Sequence, residues 1–299
     1  MTVRSSPLTL KPEKLLLDLN KTGSKQKVFD LQNRILIMGV LNLTPDSFYD
    51  GGRYIKKEEA IKKACSLVNE GADILDIGAE STRPGALKLS EQEERDRLIP
   101  VLKALRKRIR IPLSVDTYKS EIARAALDEG CDIINDISGL GFDKKMAPVI
   151  SAYRAGLVIM HMKGTPRTMQ KNPAYRDLIT EIKNFFKKSL KIALEKGINY
   201  DKIILDPGIG FGKTVEHNYS IINRLSEFKT FKRPVLIGVS RKSLIGKVLD
   251  QSAEERLLGT IVLNTVSILK GANIIRVHDV KEHKDLLRLL KFLKTKGTH

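Results

Sequence analysis

Short apolar runs recur along the chain at intervals of 20 to 45 residues. Each contains four to eight nearly continuous apolar positions and is followed by polar residues or glycine. Such runs are typical of strands that are buried on both faces of a parallel sheet. In chain order they are ILIMGVLN, ADILDIGAE, IPLSVDT, CDIINDISG, LVIMHMKG, KIILDPGIG, PVLIGVSR and NIIRVHDV. The hydrophobic pattern therefore predicts eight strands.

The segments between these runs show helical periodicity, for example EEAIKKACSLVNEG and KSEIARAALDEG. Several end in glycine, the residue expected just past the end of a helix. Strict alternation of eight strands and eight helices requires right-handed βαβ units, and eight units over about 250 residues match a closed (β/α)8 TIM barrel. The alternative is a doubly wound open sheet, which a G-x-G-x-x-G motif near the first strand would favour. The chain has no such motif there.

We therefore predict an α/β chain with one barrel domain over residues 35–299 and an N-terminal extension over residues 1–34. The segment LTLKPEKLLLDL in the extension is expected to form a short hairpin that closes the bottom of the barrel. The helical segment LLGTIVLNTVSILKG is apolar nearly all round, as in helices covered on more than one side. A homodimer through this helix and its neighbours is predicted.

Composition excludes several classes of function. The formal net charge of +18 is spread over lysine-rich helices, tryptophan is absent and aromatic residues make up 5%, so no specific nucleic-acid partner is expected. No apolar run reaches the length of about 20 residues needed to span a membrane, and the first residues lack an apolar secretory core. Cys65 and Cys131 lie far apart in apolar patterns and are predicted to be free thiols. These features predict a soluble cytoplasmic protein.

Polar residues follow almost every predicted strand. Because chemistry in a TIM barrel takes place at the carboxyl ends of the strands, these residues are expected to converge on one mouth. One such residue could merely cap the next helix, and Asp76 in particular could be only a cap. The converging residues are Asn42, Asp76, Asp116, Asn135, His161, Asp206, Ser240, Arg276 and His278. Of these, His161 fits a core position and a pocket position equally well, whereas His217, His283 and His299 are expected to face solvent.

The stretch DPGIGFGKT, residues 206 to 214, looks at first like a phosphate-binding loop. The P-loop pattern is G-x-x-x-x-G-K-[ST], and counting back from Gly212 puts Pro207 where the first glycine should be. The spacing of the glycines therefore does not fit a P-loop that binds nucleotide phosphates. A simple strand-to-helix turn would explain the glycines, which adopt positive φ freely, but it would not explain Asp206.

The chemistry of the rim suggests a ligand with two different ends. Asp116, Asn135 and Asp206 offer acceptors that suit a flat heterocycle with adjacent N–H donors, and Lys242 can donate to a ring carbonyl or nitrogen. Arg276 and His278 follow the last strand, where such barrels often hold phosphate. Two loops rich in Gly, Pro and Ser or Thr, NLTPDSFYDGG and ESTRPGA, could act as lids.

Six motifs, in order between Ile35 and Asp279, together resemble the dihydropteroate synthase family. They are MGVLNLTPDSFYDGG, DIGAESTRPGA, SVDT, NDISG, DPGIGFGK and SRKS with RVHDV. The resemblance implies a pterin-binding TIM barrel and a homodimeric enzyme of folate biosynthesis, which is a sulfonamide target. It implies that the enzyme joins 6-hydroxymethyl-7,8-dihydropterin pyrophosphate to p-aminobenzoate, with Mg²⁺, giving 7,8-dihydropteroate and pyrophosphate.

The resemblance also assigns roles to residues. Pterin contacts would come from Asp116, Asn135, Met160, Asp206, Phe211 and Lys242. The pyrophosphate would be held by Asn42, Arg276 and His278, with Asn42 also a Mg²⁺ ligand and Asp50 helping to hold the ion. The p-aminobenzoate pocket would be formed by Phe48, Thr82, Arg83, Pro84 and Ser243. An SN1-like path is implied, since the pterin can delocalise a carbocation, with Asn42, Asp206, Lys242, Arg276 and His278 as the catalytic set.

Three alternatives remain open at this point. A methyltetrahydrofolate:corrinoid methyltransferase would share the barrel and the pterin pocket but has no pyrophosphate to hold, so Lys242, the RVHD motif and the two loops favour the synthase. The second alternative is a catalytically silent paralogue that binds pterin only. The third is a basic, RNA-associated barrel. Pyrophosphate release, assayed with and without p-aminobenzoate, separates them.

Overall fold

The structure, a computed structural model, describes residues 14–18, 26–31, 34–43, 53–82, 85–86 and 88–296. Its first two strands, β1 (Lys14–Asp18) and β2 (Gln26–Asp30), form an antiparallel hairpin. The barrel strands are β3 (Leu36–Asn42), β4 (Ile74–Gly78), β5 (Leu113–Asp116), β6 (Ile133–Asp136), β7 (Gly156–Met160), β8 (Ile203–Asp206), β9 (Leu236–Ile237) and β10 (Ile274–Val277). They are parallel and adjacent in the order β8-β7-β6-β5-β4-β3-β10-β9.

The two ends of this sheet meet. Leu205 of β8 bridges Val235, just before β9, and its N–H donates to the carbonyl of Pro234 at 2.9 Å. The sheet is therefore a nearly closed eight-stranded barrel, which confirms the TIM-barrel prediction, and the open-sheet alternative is wrong. The short length of β9 gives this side the weakest pairing in the ring.

The helices surround the barrel. They are α1 (Arg53–Asn69), α2 (Glu91–Arg108), α3 (Ser120–Asp128), α4 (Met146–Ala152), α5 (Leu178–Glu195), α6 (Val215–Asn223), α7 (Ser243–Leu249), α8 (Leu257–Leu269) and α9 (Val280–Lys296), with short 3-10 helices at Tyr200–Lys202 and Leu225–Phe231. The described residues thus contain nine α-helices, where the sequence pattern predicted eight. The extra helix is α7, which precedes α8 between β9 and β10, so the connection there is not a single helix.

Each strand is apolar on both sides because it has two faces to bury. One face points outward and packs against the helices, while the other points into the barrel. At the amino end of the barrel the inward residues form a layer of their own, consisting of Leu36, Met38, Ile74, Ile133, Val158, Ile204, Leu236 and Ile274. Phe29 at the end of the hairpin and Leu31 just after it pack onto this layer. The amino end of the barrel is thus closed by apolar packing.

Three smaller expectations from the sequence can be compared with the fold. Cys65 and Cys131 are free thiols, as predicted. His283 was expected to face solvent, and this is wrong: it is fully buried and joins α8 to α9. Its Nδ1 donates to the carbonyl of Asp279 at 2.6 Å and its Nε2 accepts from the amide of Asn264 at 2.8 Å. Within the part of the chain described, no helix has the length and apolar character to cross a membrane.

Candidate active site

A partly buried arginine organises the centre of the barrel mouth. Arg276 on β10 donates through Nε to Asp76 on β4 at 2.6 Å and through Nη2 to Asp116 on β5 at 3.2 Å. Asp76 is fully buried, while Arg276 keeps about a fifth of its side chain exposed. Burial raises the pKa of Asp116 to about 7, although the charge on Arg276 acts in the opposite direction. One cation therefore holds two carboxylates in fixed positions below the rim.

Asn135 and Asp136 are the last two residues of β6. They have different roles because consecutive strand residues face opposite sides of the sheet. Asn135 points into the barrel, and its amide donates to Asp76 at 3.1 Å. Its side-chain oxygen is buried and has no hydrogen-bond partner among the described residues. Asp136 instead accepts from the backbone N–H groups of Ser138 and Leu140, each at 2.8 Å. Asn135 is thus free to accept from a ligand, whereas Asp136 shapes the following turn.

The glycine-rich stretch after β8 is a turn that aims Asp206 into the mouth. The carboxylate of Asp206 accepts from the backbone N–H of Gly208 at 2.7 Å. Gly208, Gly210 and Gly212 all have positive φ. A Cβ atom on Gly208 would lie 2.0 Å from the carbonyl oxygen of His161, so only glycine fits. Burial raises the pKa of Asp206, and the nearby Lys242 partly offsets this.

Hydrogen bonds from Lys213 link this turn to the end of β7. Its ammonium donates to the carbonyl of Phe211 at 2.9 Å and to that of His161 at 3.3 Å, and it lies 2.9 Å from the ring nitrogen Nδ1 of His161. Both side chains are buried, and burial is the main cause that lowers both pKa values. His161, for which core and pocket were equally open, is thus a buried support beneath the turn.

An apolar wall and a lysine border Asp206 on its other sides. Met160 packs with Ile137, Met162 and Met169, and Phe211 lies against this cluster. The Lys242 ammonium sits 4.9 Å from the centroid of the Phe211 ring and donates to the carbonyl of Ile209 at 2.5 Å. Burial lowers the pKa of Lys242 to about 8, although Asp206 opposes the shift. A flat ligand could therefore contact apolar, cationic and carboxylate groups at once.

Two further rim groups lie beside Arg276. His278 follows β10, and its Nδ1 is 3.0 Å from the hydroxyl of Ser240, which also accepts from the His278 backbone N–H at 3.2 Å. Burial, aided by the charge on Arg276, lowers the pKa of His278 to about 4. Asn42 ends β3 opposite Gly78 of β4, which in turn is opposite Asp116. A Cβ atom on Gly78 would lie 3.6 Å from the Cβ of Asp116 and 4.0 Å from Oδ1 of Asn42, so these two side chains flank the glycine.

The structure brings most of the predicted site residues together. Those that lie at the carboxyl end of the barrel are Asn42, Asp116, Asn135, Met160, Asp206, Phe211, Lys242, Arg276 and His278. Thr82 is partly buried in the segment after β4, and Ser243 is exposed at the start of α7. Phe48, Asp50, Arg83 and Pro84 lie outside the described residues, as does His299.

Asp76 is the main residue whose role the sequence analysis underestimated. It was considered a possible helix cap, yet it lies in the barrel interior and contacts both Arg276 and Asn135. The alternation along β4 contained the signal: Ile74 belongs to the inward bottom layer, so Asp76 and Gly78, at steps of two, must also face inward. Ser240 was predicted to lie at the mouth, but its contact with His278, like that of Lys213 with His161, had no signal in the local pattern.

Comparison with known proteins agrees with this geometry. A family model described as "Pterin binding enzyme" matches residues 38–278. The fold and the rim thus define a pterin-binding TIM-barrel enzyme. The dihydropteroate synthase of Synechocystis is 46% identical over 86% of this chain and 89% of its own length.

Solved structures give the same result. Dihydropteroate synthase from Yersinia pestis, in complex with a sulfonamide drug, superimposes with a TM-score of 0.86 and 39% identity over 94% of this chain and 100% of its own. The enzyme from Xanthomonas albilineans in complex with 7,8-dihydropteroate gives a TM-score of 0.82 and 33% identity, over 94% and 99% of the two chains. The chain belongs to the dihydropteroate synthase family, a family of transferases in folate biosynthesis.

Proposed function

We propose that this chain joins 6-hydroxymethyl-7,8-dihydropterin pyrophosphate to p-aminobenzoate, giving 7,8-dihydropteroate and pyrophosphate. The observation that carries the proposal is the arrangement of the rim, where buried acids and an amide lie next to an arginine and a histidine. The first group suits a ring with N–H donors and the second suits a polyanion. The Xanthomonas albilineans relative has been solved both with 7,8-dihydropteroate and with 4-aminobenzoic acid.

The pterin ring is assigned to the pocket between Asp206 and Asn135. A carboxylate and an unpartnered amide oxygen would accept from the amino group and ring N–H, and Lys242 would donate to the ring carbonyl or nitrogen. Met160 and Phe211 would cover the apolar faces of the ring. Asp116 would stabilise positive charge that develops on the ring, since it faces the same opening from β5.

The leaving pyrophosphate is assigned to Arg276 and His278. Asp76 and Asp116 occupy two of the five N–H donors of the Arg276 guanidinium, so the rest can face a phosphate group. Positive groups here would stabilise the charge that develops on the leaving oxygen. We propose an SN1-like path, because breaking the C–O bond leaves a cation that the pterin can delocalise. An arylamine is already a neutral nucleophile, so the attack needs no strong general base.

Mg²⁺ fits this site as an ion that arrives with the substrate. Among the described residues, no group of three or more His, Cys, Asp or Glu could hold a metal by itself. Asn42 offers an amide oxygen at the rim, and Mg²⁺ commonly binds a few protein oxygens while keeping waters and substrate phosphates. When bound, the ion would neutralise part of the pyrophosphate charge. Asn42 is the ligand we propose, with Asp50 as a helper.

The second substrate is assigned to the mouth above the pterin pocket. Thr82, after β4, and Ser243, at the start of α7, border this mouth, and Phe48, Arg83 and Pro84 are proposed to complete the pocket. We also propose that the enzyme acts in the cytoplasm as a homodimer. The dimer proposal is supported by the exposed apolar side chains Leu258 and Val262 on α8.

The test of the ring assignment is Asp206→Asn. Titration calorimetry with a pterin analogue should show weaker binding, and turnover to dihydropteroate should fall with it, because the amide cannot supply the negative charge. The matched control is Asp132→Asn, which alters a buried acid that binds the N–H of Leu113 at the opposite end of the barrel. The control should retain pterin affinity. Wild-type affinity and turnover in Asp206→Asn would refute the assignment.

A further inference from the structure

A second buried lysine cluster lies next to the rim but outside the proposed substrate contacts. Lys119 lies in the turn between β5 and α3, three residues after Asp116, and is only 5% exposed. Its ammonium donates to Glu80 at 2.5 Å, to Glu94 at 2.6 Å and to the carbonyl of Leu89 at 2.8 Å. All three donor positions of an ammonium group are thereby used.

These three partners belong to one connection, the segment between β4 and α2. Glu80 comes two residues after the end of β4, Leu89 directly precedes Ser90, the N-cap of α2, and Glu94 lies in the first turn of that helix. One side chain therefore fixes both stems of the segment. Between the stems, the N–H of Gly85 donates to the carbonyl of Pro166 at 3.4 Å, so Gly85 lies against the loop that follows β7.

The electrostatics favour a fixed geometry here. Burial opposes a charge on Lys119, but its hydrogen bonds to Glu80 and Glu94 outweigh burial and raise its pKa. Burial also raises the pKa of Glu94. A buried ion cluster of this kind is costly to rearrange, because each charge would lose its partner without regaining water.

Tyr118 connects the cluster to the ring pocket. Its hydroxyl donates to Glu80 at 2.6 Å, while its ring packs against the apolar wall that contains Met160. A contiguous set of contacts thus runs from the wall of the pterin pocket to the stem of the segment that carries Thr82.

We propose that Lys119 is a positioning residue for the second substrate, which fixes the segment between β4 and α2 so that p-aminobenzoate is accepted above the pterin. This role rests on the proposed function, since it takes the residues of that segment as part of the p-aminobenzoate pocket. Lys119 itself contacts neither substrate.

The test is Lys119→Met, with kinetics for each substrate and hydrogen exchange on the free enzyme. We expect the KM for p-aminobenzoate to rise roughly 10-fold to 100-fold, because small displacements of a positioning group have effects of this size. Pterin affinity, measured by calorimetry, should change less than about 2-fold, because Lys119 makes no contact in that pocket. Hydrogen exchange of the backbone amides in residues 79–82 and 88–94 should become faster.

The matched control is Lys202→Met. Lys202 is also 5% exposed and donates to the carbonyl of Arg154, close to the amino end of β8. Its loss should lower stability but leave the KM for p-aminobenzoate and the exchange of the 79–94 span unchanged. Tyr118→Phe removes only the hydroxyl bound to Glu80 and should give a smaller rise in KM, which keeps the test available if Lys119→Met does not fold.

Two outcomes would overturn the proposal. One is an unchanged KM for p-aminobenzoate in Lys119→Met, or in Tyr118→Phe where the first variant does not fold. The other is an equal loss of affinity for both substrates. If the wild type makes no dihydropteroate, the proposed function fails, and the exchange comparison alone decides whether Lys119 fixes the segment.

Discussion

At the scale of single residues, the guanidinium of Arg276 has two roles, and both use its positive charge. It binds Asp76 and Asp116 inside the barrel, and it is proposed to hold a pyrophosphate at the rim. A guanidinium can do both, because its five donors point in fixed directions around a plane. Asp76 accepts from Nε and Asp116 from Nη2, so three donors remain that can face a phosphate. We therefore expect the fully buried acid to orient the arginine towards the anion.

Asp76→Asn tests this orientation. The amide keeps the shape of the side chain but removes its charge, so Arg276 would be held less firmly and pyrophosphate affinity should fall. Breaking a buried pair should also lower the free energy of unfolding by about 3 kcal/mol. Calorimetry with pyrophosphate and urea unfolding measure the two effects.

The control for Asp76→Asn is Asp73→Asn, at the other end of the same strand. Asp73 also pairs with an arginine, Arg34, and accepts from the N–H of Ile37 at 3.0 Å. This variant should lose stability while pyrophosphate affinity stays the same. If the two variants weakened pyrophosphate binding equally, orientation of Arg276 by Asp76 would be wrong.

His278 gives a prediction that depends on pH. Its pKa is lowered to about 4, mainly by burial, so it is neutral at pH 7. Because the folded-state pKa lies below the usual value of about 6.5, His278 costs no stability above that value and destabilises the fold as pH falls through 6.5 towards 4. A bound polyanion should reverse the effect by raising the pKa of His278.

We therefore expect pyrophosphate binding at pH 6 to be accompanied by uptake of up to about one proton by the enzyme. Calorimetry in buffers with different ionisation enthalpies measures this number. His278→Gln, titrated under the same conditions, accounts for the protons of pyrophosphate itself. Equal proton uptake by the wild type and the variant would show that His278 does not titrate on binding.

At the scale of elements, the turn after β8 is the feature that links sequence, conformation and site most directly. Its glycines have positive φ, and the Asp206 carboxylate accepts from the Gly208 N–H within the turn. The chain passes so close to the end of β7 that a side chain on Gly208 would overlap the carbonyl of His161. The same turn therefore fixes the position of Asp206.

Gly208→Ala should consequently impair pterin binding. The new Cβ would have to displace backbone, so the turn and Asp206 would move with it. Gly130→Ala is a suitable control, because Gly130 also has positive φ but its Cβ would meet only the flexible side chain of Arg106 at 3.0 Å. Both variants should lose stability, measured by thermal unfolding. A pterin affinity that fell equally in both would contradict a special role for the turn.

The elements also show what could be derived from the sequence. The apolar runs predicted the strands, and the polar residues after them predicted the rim, because both are local features of the sequence. The split of the connection between β9 and β10 into α7 and α8 was not predicted. The polar run DQSAEER separates the two helices, but the seven residues of α7 give only about two turns of helical periodicity. Contacts such as Arg276 with Asp76, 200 positions apart, depend on closure of the barrel, which no local pattern records.

At the scale of the whole molecule, the two ends of the barrel have different compositions. The barrel interior at the amino end is filled by an apolar layer onto which Phe29 and Leu31 pack, whereas the interior at the carboxyl end contains the ion pairs of Arg276 with Asp76 and Asp116. Buried charges are costly unless they are paired, and their pairing restricts what the rim can bind. The apolar end stabilises the fold independently of ligand, so the barrel can keep costly charged groups at the other end.

The outer surface leads to the last prediction. On α8, Leu258 is 69% exposed and Val262 is 51% exposed, and Leu289, Phe292 and Leu293 on α9 are exposed as well. Apolar side chains clustered on neighbouring helices are expected where two subunits meet. Static light scattering at micromolar concentration should therefore give twice the monomer mass. Leu258→Glu with Val262→Glu should give the monomer mass, because a carboxylate is costly to bury there.

The control places an added carboxylate on another helix of the outer surface. Leu194 near the end of α5 is 48% exposed, and α6 separates its helix from α8 in the ring. Leu194→Glu should leave the dimer mass unchanged, which would show that the loss depends on the α8 surface and not on added charge. A monomer mass for the wild type would mean that the apolar surface of α8 has no subunit partner. Because the rim lies at the ends of the strands and α8 on the outside, the monomeric variant should still bind the pterin analogue.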